Sequence, residues 1–129
     1  MTAQDGQRIL IVDDDPGIRR TLQIALSHAG YDVLQAYDGS EAMRLWHDHG
    51  GDLVITDLHM PKKDGIQTIM ELLRHTPGLP IIAMSDGGQT KQLDLLKDVS
   101  LLRPVLTIEK PFTLQQMLGL VEGALRRGP

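Results

Sequence analysis

No cysteine occurs in the chain of 129 residues. Disulfide frameworks, thiolate catalysis and zinc–sulfur centres are excluded together. Aromatic residues are nearly as scarce, with Tyr31, Tyr37, Trp46 and Phe112 the full set. Stacking of bases on aromatic platforms is therefore not expected as a main activity. Cationic excess is missing too. Thirteen Lys and Arg stand against seventeen Asp and Glu, a net charge of −4. Binding to nucleic-acid phosphates needs clustered Lys and Arg, so no direct nucleic-acid binding is expected. No apolar run approaches the roughly 20 residues of a membrane span, and the opening MTAQDGQR has no apolar signal core. The expectation is a soluble cytoplasmic protein with no membrane association.

What is present is a regular alternation. A chain of this length suits one domain and buries roughly two-thirds of its unfolded surface. Residues 1–7 read as a flexible tail and 8–127 as the domain. Short apolar runs lie at 9–12 (ILIV), 33–36 (VLQA), 53–56 (LVIT), 81–84 (IIAM) and 105–108 (VLTI). Helical patterns separate them. Over 16–29, Ile18, Leu22, Ala25 and Leu26 share one face, with Asp15 placed to cap, Pro16 in the first turn and Gly30 at the end. DGSE (38–41) and TLQQ (113–116) have the form of capping boxes. Further helices are expected over 65–75 and roughly 89–98. Alternation of this kind implies βαβ units and a parallel sheet. The first, third and fourth runs are almost wholly apolar, as strands covered on both faces are. Gln35 and Thr107 mark the second and fifth as edges. The expected fold is α/β, a doubly wound five-stranded parallel sheet of order 2-1-3-4-5, flavodoxin-like, built as (βα)5.

Polar residues follow these runs in a pattern with coherent chemistry. The first run ends in Asp13-Asp14-Asp15, the third in Asp57, the fourth in Ser85 and the fifth near Lys110. Two carboxylates 4 Å apart repel by about 4 kcal/mol at an effective dielectric near 20, so a cation is expected nearby unless the cluster opens into solvent. Three carboxylates from adjacent strands can hold Mg²⁺, with main-chain oxygen and water completing the shell. Lys110 supplies a second positive charge. A carboxylate with the right exposure can attack a phosphoryl group whose oxygens are neutralised by the metal and Lys110 and hydrogen-bonded by Ser85.

Together the acidic pair, the D-x-x-M-P-x-x-D-G stretch (57–65), the hydroxyl after the fourth run and the K-P-F triplet (110–112) resemble the CheY-like receiver domain of two-component response regulators. The resemblance covers about residues 8–127. It implies a phosphorelay module in which Asp57 accepts a phosphoryl group from a sensor histidine kinase or histidine phosphotransfer protein. It implies that Asp14 and Asp57 bind Mg²⁺ directly, that Asp13 acts mainly through water, and that the carbonyl of His59 completes the ligands. Ser85 and Lys110 would contact the phosphoryl oxygens, and the Lys110-Pro111 peptide would be cis. Such a module catalyses only its own phosphorylation and dephosphorylation. Its output would be a partner-binding or dimer face formed by the helix near 89–98, the fifth strand and the last helix. With no output domain in the chain, it would act by docking to a partner or belong to a longer protein.

Plainer readings apply to neighbouring residues. Asp15 reads as a helix cap rather than a ligand. Asp64-Gly65 reads as a turn. GGQTK (87–91) lacks the spacing of a phosphate loop and reads as a flexible connection. His47 and His49 do not share a helix face and read as exposed. The Leu-rich stretch 93–102 holds more apolar residues than one buried stripe needs, leaving core packing and a partner surface both open.

Three positions depart from the family pattern. Asp86 replaces the usual small residue after the hydroxyl, and its charge at the mouth of the pocket is expected to slow small phosphodonors. Thr107 stands where the family often has an aromatic that rotates inward on activation. His59, two residues after Asp57, is placed to influence the lifetime of the acyl phosphate. Two other functions compete. One is a docking scaffold that does not depend on phosphorylation, suggested by Asp86 and Thr107. The other is a small phosphohydrolase of the haloacid-dehalogenase type with Asp13 as nucleophile; Gly17 departs from that pattern.

Overall fold

The computed structural model describes residues 6–58, 65–86 and 105–126. Five strands run β1 (Arg8–Val12), β2 (Asp32–Ala36), β3 (Leu53–Asp57), β4 (Ile81–Ser85) and β5 (Leu106–Glu109). The four helices among the described residues are α1 (Pro16–His28), α2 (Gly39–His49), α3 (Gly65–His75) and α4 (Leu114–Arg126). All strand pairs are parallel, and the order is β2-β1-β3-β4-β5, as expected from the sequence. The helix expected near 89–98, the GGQTK connection, the Leu-rich stretch 93–102 and residues 1–5 of the expected tail lie outside the described residues.

Side chains of the central strands alternate between two apolar layers, since successive strand residues face opposite sides. Leu10, Val12, Val54, Ile81 and Ala83 pack with Trp46, Ile69 and Leu72 from α2 and α3. Ile9, Ile11, Ile55, Ile82 and Met84 pack with Leu22 and Leu26 of α1 and Met117 and Val121 of α4. Burial on both faces accounts for the unbroken apolar runs of β1, β3 and β4. At the edges, Gln35 is half-buried and Thr107 exposed.

Helix starts follow local chemistry. Asp15 caps α1 by accepting from the Gly17 N–H at 2.8 Å, with Pro16 in the first turn. The Thr113 box is reciprocal: the Gln116 N–H donates to Thr113 Oγ1, and the Thr113 N–H donates to Gln116 Oε1. The Asp38 box differs from the expected form. Asp38 accepts from the Glu41 N–H, but Glu41 Oε1 accepts from the Tyr37 N–H, one residue before the cap. The extended backbone of Asp38 (φ −156°, ψ 176°) accompanies this shift of the second donor. His47 and His49 are exposed, as expected.

Candidate functional site

Strand register assembles the site. Ile11 pairs with Ile55 and Val12 with Thr56, so Asp13, one step beyond β1, stands beside Asp57 at the end of β3. Asp57 pairs with Met84, which places Ser85 one step further along β4. Ser85 pairs with Glu109, and the Lys110 N–H extends that ladder by donating to the Ser85 carbonyl at 2.7 Å. The four segments reach one rim because all strands are parallel and end together, the place where open α/β sheets bind ligands.

The carboxylates lie close. One oxygen from each of Asp13, Asp14 and Asp57 falls within 4.8 Å of the others. Asp13 is fully buried at 0 % exposure, Asp57 nearly so at 5 %, and Asp14 is exposed. Lys110 bridges the two buried acids, with Nζ 3.3 Å from Asp13 Oδ2 and 3.5 Å from Asp57 Oδ2. The Asp15 N–H donates to Asp13 Oδ1 at 2.9 Å. Asp15 itself serves as the α1 cap. Ser85 is buried at the rim. The Lys110-Pro111 peptide is cis. The His59 carbonyl lies outside the described residues.

Charges at the site disagree with one another, and burial amplifies the conflict. Desolvation and the Asp57 charge push the Asp13 carboxyl above its ordinary value, outweighing the Asp15 hydrogen bond and the Lys110 charge. Burial pulls the Lys110 ammonium down, but Asp13 and Asp57 more than offset it and its value is raised. Asp86, exposed after β4, adds to that upward push. Among the described residues, Lys110 sets one lysine charge against the three carboxylates. An all-oxygen set of three carboxylates, one of them exposed to admit water, fits a hard divalent ion such as Mg²⁺.

This conflict predicts a pH-dependent metal effect. A raised Asp13 value means the folded chain holds that proton more tightly, so the site's contribution to stability is present below about pH 4 and falls as pH rises past it. The raised Lys110 value contributes stability below its ordinary range and loses it only in strong alkali. Mg²⁺ relieves the acidic repulsion only where the carboxylates are charged. At ten times its dissociation constant Mg²⁺ is expected to add about 1.4 kcal/mol at pH 7.5, and less at the same concentration toward pH 4. Melting curves with and without Mg²⁺ at the two pH values check this. Equal increments would show that the acids are not its ligands.

One residue read only as a turn has a sharper requirement. Gly65 opens α3 directly against the end of β3, its N–H donating to the Leu58 carbonyl at 3.1 Å. A Cβ there would stand 2.2 Å from the Asp57 carbonyl oxygen. The Asp-Gly pair signals a turn in sequence; nothing local reveals that the glycine touches the backbone of Asp57.

A family profile described as Response regulator receiver domain matches residues 9–122. The chain belongs to the response regulator receiver family. The DNA-binding dual master transcriptional regulator RpaA of Synechocystis sp. is 39% identical over 122 residues, spanning 93% of this chain and 49% of that protein. Transcriptional regulatory protein GlrR of Escherichia coli (strain K12) is 40% identical over 80 residues, 62% of this chain and 18% of that protein. The receiver chain thus spans about half or less of the length of these relatives. Among solved structures, a response regulator receiver domain protein from Clostridium thermocellum superposes with a TM-score of 0.85 at 27% identity, covering 94% of this chain and 95% of that one. Vibrio cholerae chemotaxis protein CheY4 superposes with a TM-score of 0.84 at 26% identity, covering 92% and 98%. Receiver domains are signalling modules of two-component systems, and they bind Mg²⁺ at an acidic pocket. Asp13, Asp14 and Asp57 form an acidic cluster in this chain.

Proposed function

We propose that this receiver accepts a phosphoryl group on Asp57 from the phosphohistidine of a sensor histidine kinase or histidine phosphotransfer protein. The observation that carries the reading is the meeting of Asp57, Asp13 and Lys110 at one rim, with Lys110 Nζ within 3.5 Å of both carboxylates. An Asp57 carboxylate oxygen attacks phosphorus, and the phosphorus–nitrogen bond breaks. The electron pair leaves with the imidazole, which takes a proton from solvent. The Lys110 ammonium neutralises the transferring oxygens, and the Ser85 hydroxyl donates to one of them. Asp13, Asp14, Asp57 and the His59 carbonyl would hold Mg²⁺, which when bound supplies further positive charge to the same oxygens.

The acyl phosphate then biases a two-state equilibrium of the face made by β5 and α4. Ser85 and the segment after it are the movers, and the face docks a protein target or a second copy. Thr107, exposed on the edge strand, offers no ring to rotate inward. Asp86 modulates access from the mouth, and His59 modulates hydrolysis. The setting is cytoplasmic, in keeping with the lack of cysteine and with the absence, among the described residues, of a helix long and apolar enough to cross a membrane.

Incubation with phosphorylated histidine kinases and Mg²⁺ tests the reading. Label should move onto the chain, be released by hydroxylamine as an acyl phosphate is, and fail to move when Mg²⁺ is chelated. Beryllofluoride with Mg²⁺ should shift the amide resonances of Asp57 and Ser85. A chain that takes no label and shows no such shifts is instead a scaffold that docks independently of phosphorylation.

A further inference from the structure

We propose that Arg19 is a positioning residue for the acidic cluster, fixing the Asp13–Asp14 peptide in the geometry that Mg²⁺ binding requires. This rests on the receiver-site reading above. The β1–β2 ladder runs out at the rim: β2 ends at Ala36, whose carbonyl accepts from the Asp13 N–H at 3.1 Å. The Asp13 carbonyl, next along the chain, needs an acceptor's partner of its own, because buried backbone groups are costly to leave unmatched. Arg19, in the first turn of α1, supplies it. Its Nη1 donates to the Asp13 carbonyl at 2.7 Å.

The guanidinium is itself held. Arg19 Nε donates to Gln35 Oε1 at 3.2 Å, and Gln35 Nε2 donates to Gln23 Oε1. One half-buried relay therefore ties α1 and the edge strand β2 to the peptide that joins the two acids. The other contacts of Asp13 restrain its side chain and its N–H: the Asp15 N–H on one carboxylate oxygen, Lys110 on the other, and Ala36 on the amide. Arg19 restrains the carbonyl, and through that peptide the exposed Asp14. Mutual repulsion of three carboxylates works to open this segment. A planar, rigid fork that serves two acceptors at once resists the opening, whereas a lysine's donors sit on one nitrogen at the end of a flexible stem and fix no such geometry.

Arg19→Lys separates shape from charge. Mg²⁺ titrations of the full chain, followed by the amide resonances of residues 12–15 and 57, should give an affinity about tenfold weaker than the parent, as for loss of a group that orients metal ligands. Gln35→Ala, which leaves the Arg19 charge in place, should weaken binding about threefold and displace the Asp14 resonance in the metal-free chain. Melting curves establish that each variant is folded at the titration temperature, and if Arg19→Lys is not, Gln35→Ala decides alone. Affinities within a factor of about two of the parent overturn the proposal. A parent chain that fails to saturate with Mg²⁺ overturns the metal-site reading itself, and the proposal with it.

Discussion

Replacing Asp57 with asparagine is expected to abolish phosphoacceptance while leaving the fold intact. The amide is nearly isosteric with the carboxylate but lacks the anionic oxygen that attacks phosphorus. Lys110 keeps Asp13 as a partner at 3.3 Å, so no buried ammonium is stranded. The Asp57 charge contributes to the upward push on Asp13, and its removal should bring the Asp13 carboxyl back toward the ordinary range. Two measurements follow. Transfer of label from a phosphorylated kinase should vanish in Asp57→Asn. The rise in metal-free stability on acidification toward pH 4, which reports the Asp13 shift, should shrink. The position of the label discriminates the hydrolase reading, in which it would sit on Asp13 rather than Asp57. Labelling of Asp57→Asn at the parental rate would remove Asp57 from its assigned role.

Gly65→Ala carries the largest expected loss of stability. The added methyl would meet the Asp57 carbonyl oxygen at 2.2 Å, the Leu58 Cα at 2.6 Å and the Asp57 carbonyl carbon at 3.0 Å. All three are backbone, so no side chain can swing aside. Either α3 retreats from β3, or the end of β3 moves and carries Asp57 with it. Overpacking of this kind costs up to about 3 kcal/mol. For a domain of this size that is a fall in Tm of about 10 °C. Where the variant remains folded, displacement of Asp57 by about 1 Å should slow phosphotransfer by up to about a hundredfold. Gly119→Ala is the control. Nothing lies within 4 Å of a Cβ at that exposed position in α4. Helix propensity alone should stabilise that variant by about 0.5–1 kcal/mol. Urea unfolding of both variants checks the pair; equal midpoints would show that the contact at Gly65 relaxes without cost.

Much of the architecture was legible in the chain because it depends on local rules. Runs such as ILIV and IIAM specify strands buried on both faces. Asp15-Pro16 and TLQQ specify helix starts, and Gln35 and Thr107 mark the sheet edges. Alternation of these elements implies parallel pairing, and edges at the second and fifth strands suggest the doubly wound order. The placement of Asp13, Asp57, Ser85 and Lys110 at strand ends was readable for the same reason, since each directly follows or ends a strand.

The relations among them were not readable, because they depend on register and on close approach across long sequence separations. Pairing of Val12 with Thr56 places Asp13 beside Asp57, and pairing of Ser85 with Glu109 carries Lys110 to both acids. Contact of Gly65 with the Asp57 backbone, and the reach of Arg19 to the Asp13 carbonyl, exist only once helices are laid against the sheet. Residue type and spacing determined which groups would arrive at the rim. Packing in three dimensions decided their distances, and with burial those distances set how neighbouring charges push Asp13 and Lys110 from their ordinary titration ranges.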